Sequence, residues 1–253
     1  MLLAVDVGNT QTHVGAFDGA DLVADWRLAT RGDSTADEIA LALAGSLEFR
    51  DLKWPDIKGA IVSTVVPRLG PEYERLCERH LSSPCLLVGP AVKTGMPILI
   101  DNPRELGSDR LVNAVAAYDH IGGCCLAVDF GTSINFDAVS AQGEYLGGAI
   151  GPGLEVSIEA LAGRAAKLPR IEVREPGAAI GRNTQAALQS GFIFGFAGLV
   201  DGIARRMLAE LGQPATVIAT GGMANSLAPL CETIDEVDSY LTLKGLRLVH
   251  ERN

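Results

Sequence analysis

Basic residues are in short supply. The 253-residue chain sets 21 Lys and Arg against 31 Asp and Glu, a formal net charge of -10, which argues against a general affinity for nucleic acid or for an anionic membrane. An anionic substrate would therefore need a locally basic pocket. Cysteine is also sparse: Cys77, Cys85, Cys124, Cys125 and Cys231 form no CxxC pair and no metal-ligand spacing, so they read as reduced core thiols and zinc is not expected. None of His13, His80, His120 and His250 stands in a nucleophile-base pattern. No apolar stretch approaches the roughly 20 residues of a membrane span, and the N-terminus lacks the basic region and cleavage site of a signal peptide. The expectation is a cytoplasmic protein with no nucleic-acid and no membrane partner.

What the chain does have is apolar bulk. At 47% hydrophobic it can fill a substantial core, and its length suits one large domain or two small ones. Its opening segment is organised around an acid. The apolar run Leu2, Leu3, Ala4, Val5 drives a buried strand into Asp6, Gly8, Asn9 and Thr10, after which Thr12, Val14 and Ala16 resume strand alternation. Taken alone, this is first a hairpin with Asn and Gly turn chemistry. A carboxylate at the tip of a buried strand also suits a phosphate and its metal: Gly8 lets backbone pass close to phosphate oxygens, Asn9 and Thr10 can donate, and Asp6 can hold Mg2+ directly or through water.

The chain then alternates. Residues 21–28 read as a third strand, and Ser34 as an N-cap for a helix to about Phe49 supported by Ile39, Leu41, Leu43 and Leu47. A strand over 57–62 follows, then a helix opened by Pro67 and a short strand over 85–88. This βββαβαβ order is how an RNase H-like half domain begins. It restarts at residues 124–129, a strand ending in Asp129, Phe130, Gly131, Thr132, followed by strands over 135–139 and 145–150. The two tips match in kind, and such a repeat is hard to obtain by chance. The fold expected is α/β: two RNase H-like (actin-like ATPase) domains, 1–115 and 116–253, each with a mixed sheet begun by an antiparallel meander, and a cleft between them.

Between the halves, Gly107, Ser108, Asp109 and Arg110 lead into a helix from about 108 to 118. Residues 147–153 are a glycine-rich turn into a helix near Leu154, read either as a flexible loop or as a helix N-terminus brought to a ligand. Asn183 and Thr184 cap a long apolar helix, and a strand over 216–220 ends in Gly221 and Gly222. Two carboxylate-tipped hairpins form a phosphate clamp, which predicts ATP. Asp109 beside Arg110 supplies a base to deprotonate an acceptor hydroxyl, though an adjacent Asp-Arg is more commonly a surface ion pair.

These motifs, in order along nearly the whole chain, resemble those of type III pantothenate kinases, members of the acetate and sugar kinase, Hsp70 and actin superfamily. The resemblance rests on residues 6–10, on Asn102, Pro103 and residues 107–110, on Asp129, Gly131 and Thr132, on residues 147–153, and on Asn183 and Thr184. It implies a transferase that phosphorylates pantothenate to 4'-phosphopantothenate with ATP, the first step of coenzyme A biosynthesis. It places ATP phosphates and Mg2+ at Asp6, Val7, Gly8, Asn9, Thr10, Gln11, Thr12 and His13, with Thr132 also on ATP. It places the acceptor at Gly107, Ser108, Asp109, Arg110 and Thr184, with Asp109 as proton acceptor. A monovalent cation, K+ or NH4+, falls at Asp129, and a homodimer is implied. The chain departs from the family pattern where two threonines are replaced by Ile134 and Asn135, and where Ile100 stands in place of an aromatic residue. A non-catalytic nucleotide-binding regulator and a kinase for another small hydroxyl compound are the alternatives.

Overall fold

The computed structural model describes residues 1–81, 83–165, 169 and 171–253. It separates into two units: one of Met1–Met96, Asn102–Ala116 and Leu241–Asn253, the other of Pro97–Asp101 and Ala117–Tyr240.

In the first unit, β1 (Leu2–Val7), β2 (Gln11–Asp18), β3 (Asp21–Ala29), β4 (Gly59–Thr64) and β5 (Cys85–Leu87) form one sheet in the order β3-β2-β1-β4-β5. The meander is antiparallel, while β4 runs parallel to β1 and β5 to β4. Because strand side chains alternate, Leu3, Val5 and Val7 face one side. There they pack with Ile39, Leu43 and Leu47 of α1 (Ala36–Glu48) and with Tyr73 and Leu76 of α2 (Gly70–His80). Leu3, Leu43, Leu47 and Leu76 are each 1% exposed, and burying such a side chain is worth about 1.5–3 kcal/mol. Leu41 is the exception among the expected core leucines. It is 75% exposed, because positions 39, 43 and 47 already make the four-residue stripe that a helix buries.

Two helix starts differ from expectation. Thr35, not Ser34, caps α1: its hydroxyl accepts from the Glu38 amide while the Glu38 carboxylate accepts from the Thr35 amide at 2.8 Å. This reciprocal box satisfies two donors that Ser34 cannot reach together. Pro67 precedes α2 without opening it. The Leu69 amide closes a turn on the Val66 carbonyl at 3.0 Å, and the helix begins at Gly70 with Pro71 in its first turn.

The opposite face of the same sheet is covered by the chain's end. In α7 (Leu241–Glu251), Leu241, Leu243, Leu246 and Val249 are buried. A Cβ on Gly15 of β2 would lie 2.8 Å from Leu243 Cδ1, and one on Gly245 would lie 2.1 Å from the Val112 carbonyl oxygen of α3 (Ser108–Ile121). The expected division gave residues 116–253 to the second domain. The structure instead folds Leu241–Asn253 with the first unit and Pro97–Asp101 with the second. The first of these shifts follows from the apolar stripe of α7, which has an uncovered sheet face to bury.

The second unit repeats the topology. β6 (Cys125–Phe130), β7 (Ser133–Val139), β8 (Tyr145–Pro152), β9 (Thr216–Thr220) and β10 (Glu236–Val237) are ordered β10-β9-β6-β7-β8, with antiparallel pairs β6/β7 and β7/β8 and parallel pairs β6/β9 and β9/β10. Strand for strand this is the first sheet again, so the expected internal repeat is present as two mixed five-stranded sheets. Leu126, Val128, Phe130, Ile134 and Phe136 pack against Ile193, Phe196, Val200 and Ala204 of α5 (Thr184–Leu211), and against Leu154 and Ile158 of α4 (Leu154–Arg164).

At 28 residues, α5 is long and apolar enough to cross a membrane by length and composition, which the sequence was not expected to contain. Phe192, Ile193, Phe194, Phe196, Leu199 and Val200, spaced by glycines and an alanine, give its middle this apolar character. Buried Asp201 on this helix accepts from the amides of Glu232 and Thr233 at 3.0 and 2.9 Å, as fits a helix packed against protein.

Candidate active site

In the first unit, Asp6 is the penultimate residue of β1 and is half-buried. It lies opposite His13 on β2 and beside Ser63 on β4, so the three side chains share the sheet face that α7 covers. The chain turns over residues 8–10. The Gly8 amide donates to the Gln11 carbonyl at 3.0 Å, and a Cβ on Gly8 would sit 2.9 Å from that oxygen, so a larger residue would open the turn. Asn9, Thr10 and Gln11 are exposed, where their amides and polar side chains can meet a phosphate.

Of the residues expected at the phosphates, Val7 and Thr12 turn to the opposite face of the sheet from Asp6, while His13 shares the Asp6 face and is held there by Asp25. Val7 is fully buried in the α1/α2 core. Thr12 is 4% exposed and shares a 2.8 Å hydrogen bond with Thr30. His13 is buried with its Nε2 3.0 Å from Asp25 Oδ2. Burial, helped by Arg27, holds its pKa below the ordinary 6.5 against the raising effect of Asp25. These three can offer backbone to a ligand at this turn while their side chains are committed to the fold. A cavity of about 430 Å³ beneath β3 and α1, lined among others by Thr30, Arg31, Ser34 and Tyr73, includes none of Asp6, Asp109 or Arg110.

The segment at residues 107–110 enters α3 in the same unit. Asn102 caps the short turn before it, accepting from the Arg104 amide at 3.3 Å. Ser108 begins the helix, and its hydroxyl lies 2.9 Å from that of Ser63. Asp109 stands in the first turn, and its Oδ1 is only 2.5 Å from where a Cβ on Gly107 would be. The carboxylate thus occupies the space that the missing side chain leaves. The first unit therefore brings the Asp6 end of its sheet and residues 107–110 together through Ser63, a residue that sequence reasoning did not single out.

In the second unit, Asp129 holds the place in β6 that Asp6 holds in β1. It lies opposite Asn135 and beside buried Thr220. Two glycines fit tightly at this tip, one against Asp129 and one against Thr132. Gly221, at φ +97°, would carry a Cβ 2.4 Å from Asp129 Oδ1, and a Cβ on Gly153 would be 2.2 Å from the Thr132 carbonyl oxygen. The Gly153 amide donates to that oxygen at 3.1 Å, while Thr132 itself is exposed. Both glycines are visible in the sequence as turn glycines, and the close approach is what the structure adds. Thr184 is exposed in the first turn of α5, behind the Asn183 side chain that accepts from the Ala186 amide at 2.8 Å.

Among the described residues no group of three or more His, Cys, Asp or Glu is placed to hold a metal. The lone strand-tip aspartates fit a cation that keeps water and completes its shell with substrate phosphate, as Mg2+ does, and do not fit an all-protein cage.

A sequence model described as Type III pantothenate kinase matches residues 2–206. The chain belongs to the type III pantothenate kinase family. It is 49% identical to the type III pantothenate kinase of Moorella thermoacetica and 48% identical to that of Anaeromyxobacter sp. (strain K), each over 100% of both chains. Among solved structures it is similar to a putative Baf family transcriptional activator from Campylobacter jejuni (18% identity, 98% and 97% of the two chains covered, TM-score 0.62). It is also similar to a putative N-acetylglucosamine kinase from Porphyromonas gingivalis (14% identity, 100% and 99% covered, TM-score 0.57). These structures share the fold, that of the actin-like ATPases.

Against the pantothenate kinase pattern, the departures fall on different ground. Ile134 is 1% exposed in the α5 core, on the sheet face away from Asp129. Asn135 is opposite Asp129, with its Oδ1 held by the Ser133 hydroxyl at 3.0 Å. Ile100 is half-buried near Gly147, its Cγ2 3.6 Å from where a Cβ would stand. Of the two changes in β7, only Asn135 reaches the aspartate's face.

Proposed function

We propose that the chain transfers the γ-phosphoryl group of ATP to the primary hydroxyl of pantothenate, giving 4'-phosphopantothenate and ADP at the first step of coenzyme A biosynthesis. The observation that carries this reading is the tie, within one unit, of an aspartate-tipped phosphate turn to Asp109 at the start of α3, in a chain of this family. Asp109 accepts the hydroxyl proton as the new oxygen-phosphorus bond forms and the bond to the β-γ bridging oxygen breaks. Arg110, with the backbone amides of the first turn of α3, favours the anionic acceptor. Asn9, Thr10 and Gln11 hold the phosphates at the first tip, Thr132 contacts the nucleotide from the second, and Thr184 contacts pantothenate. Asp6 would hold Mg2+, which when bound neutralises charge on the phosphates. Asp129 would hold K+ or NH4+, adding positive charge without a demand for octahedral geometry.

A homodimer in the cytoplasm completes the proposal. It is supported by apolar side chains left open on the second unit: Ile150, Val156, Ile180 and Phe194 are 65%, 44%, 86% and 38% exposed. ADP release measured by a coupled assay with pantothenate, Mg2+ and K+ tests the reaction. ADP must appear in proportion to pantothenate. Binding of ATP without that dependence would instead identify a regulator, and turnover with another alcohol in a substrate panel would identify a different kinase.

A further inference from the structure

Asp6 and Asp109 lie on separate elements, a strand end and a helix start, and transfer between a phosphate at one and a hydroxyl at the other requires these to be held in register. Ser63 is placed to do this. It is 0% exposed and stands beside Asp6 in the parallel pairing of β1 with β4, on the same face of the sheet. Its hydroxyl lies 2.9 Å from that of Ser108, the first residue of α3. Its neighbours Ala60 and Val62 face the α1/α2 core, so the alternation of β4 turns a polar side chain towards α3 at this position.

The body of α3 is fixed independently. Val112, Ala114 and Ala117 are fully buried, and Gly245 allows α7 to approach the Val112 backbone with no room for a Cβ. The first turn of α3 is less enclosed than its body: Ser108, Asp109 and Arg110 are all half-buried. The fold therefore holds the helix by its apolar face, and the Ser63 hydroxyl links its reactive end to the strand beside Asp6.

We infer that Ser63 is a positioning residue of the phosphoryl transfer, setting Asp109 through Ser108 relative to the phosphate turn. The inference rests on the reaction proposed above for its kinetic consequence, and on the hydrogen bond alone for its structural one. A misplacement near 1 Å costs about a hundredfold in rate, so loss of this tether in Ser63→Ala is expected to lower kcat by roughly ten- to a hundredfold, with the KM for ATP within about threefold of wild type.

The experiment combines steady-state kinetics of wild type, Ser63→Ala, Ser108→Ala and the double variant with thermal melts and hydrogen exchange of the peptide spanning the start of α3. In that peptide the Leu111 amide donates to the Gly107 carbonyl at 3.1 Å. The expected result is a kcat loss in the double variant no larger than in the more affected single variant, faster exchange in that peptide, and a melting temperature close to wild type. Additive kcat losses, an unchanged kcat in Ser63→Ala, or a kcat loss that tracks a fall in melting temperature would overturn the inference. If wild type shows no pantothenate-dependent turnover, the proposed reaction fails. The exchange measurement then decides the tether by itself: faster exchange confined to the start of α3 supports it, and unchanged exchange refutes it.

Discussion

Gly107→Ala isolates the position of the Asp109 carboxylate from the stability of the fold. The added Cβ would stand 2.5 Å from Asp109 Oδ1, with only Asp109 Cγ and Arg110 Cδ otherwise near it, at 3.7 and 3.9 Å. No backbone atom blocks the methyl group, so the carboxylate is what gives way. To reach an ordinary contact near 3.4 Å it must retreat by about 0.9 Å. A shift of this size at a proton acceptor costs about ten- to a hundredfold in kcat, or about 1.4–2.7 kcal/mol of transition-state stabilisation. The same substitution should not harm folding. Gly107 is absent from the glycines with positive φ, and at such a site alanine stabilises by about 0.4–1 kcal/mol through the unfolded chain. Steady-state kinetics beside a thermal melt should therefore show kcat falling while the melting temperature holds or rises slightly. A wild-type kcat in a folded Gly107→Ala variant would refute the link between residue 107 and the carboxylate.

Asp109→Asn should bind ATP as wild type does in calorimetry and lose turnover by about 10²–10⁴-fold, the range for a general base; unchanged kcat would remove Asp109 from that role. Gly221→Ala forces a side chain into φ +97° and against Asp129 Oδ1 at 2.4 Å. A cost near 2 kcal/mol should lower the melting temperature by about 4–8 °C, and K+ should stabilise the variant less than wild type in the same melts. Burial holds His250 below its ordinary pKa of 6.5, with Glu251 acting the other way. The unfolded chain thus takes up the proton first, and stability falls as pH drops below 6.5. His250→Gln should flatten that part of the dependence of melting temperature on pH, and an unchanged slope would assign it to other groups.

The meanders were legible because period-two burial and an aspartate after an apolar run leave a local trace, and the recurrence of that trace at Asp129 exposed the repeat. Helix α1 was legible in extent but not in its cap, since Ser34 and Thr35 differ only in which can pair with Glu38. The return of α7 to the first sheet was not legible: its stripe of Leu241, Leu243, Leu246 and Val249 requires a face to cover without saying which. The same holds within the site. Residues 107–110 form a recognisable motif, but Ser63 reads as an ordinary strand residue until parallel pairing sets it beside Asp6 and the turn into α3 brings Ser108 to it. Val7, Thr12 and His13 belong to the phosphate motif by position; strand alternation shows that Val7 and Thr12 turn to the opposite face from Asp6, and the structure adds the bonds of Thr12 to Thr30 and of His13 to Asp25.

The central claim is a reaction with a defined product, and phosphorus NMR of the wild-type reaction mixture tests it most directly. Incubation with ATP, Mg2+, K+ and pantothenate should give one new phosphomonoester signal, on the primary hydroxyl of pantothenate, growing in step with ADP. ADP accumulating without that ester, or no change in the phosphorus signals of folded, ATP-binding protein, would contradict the account.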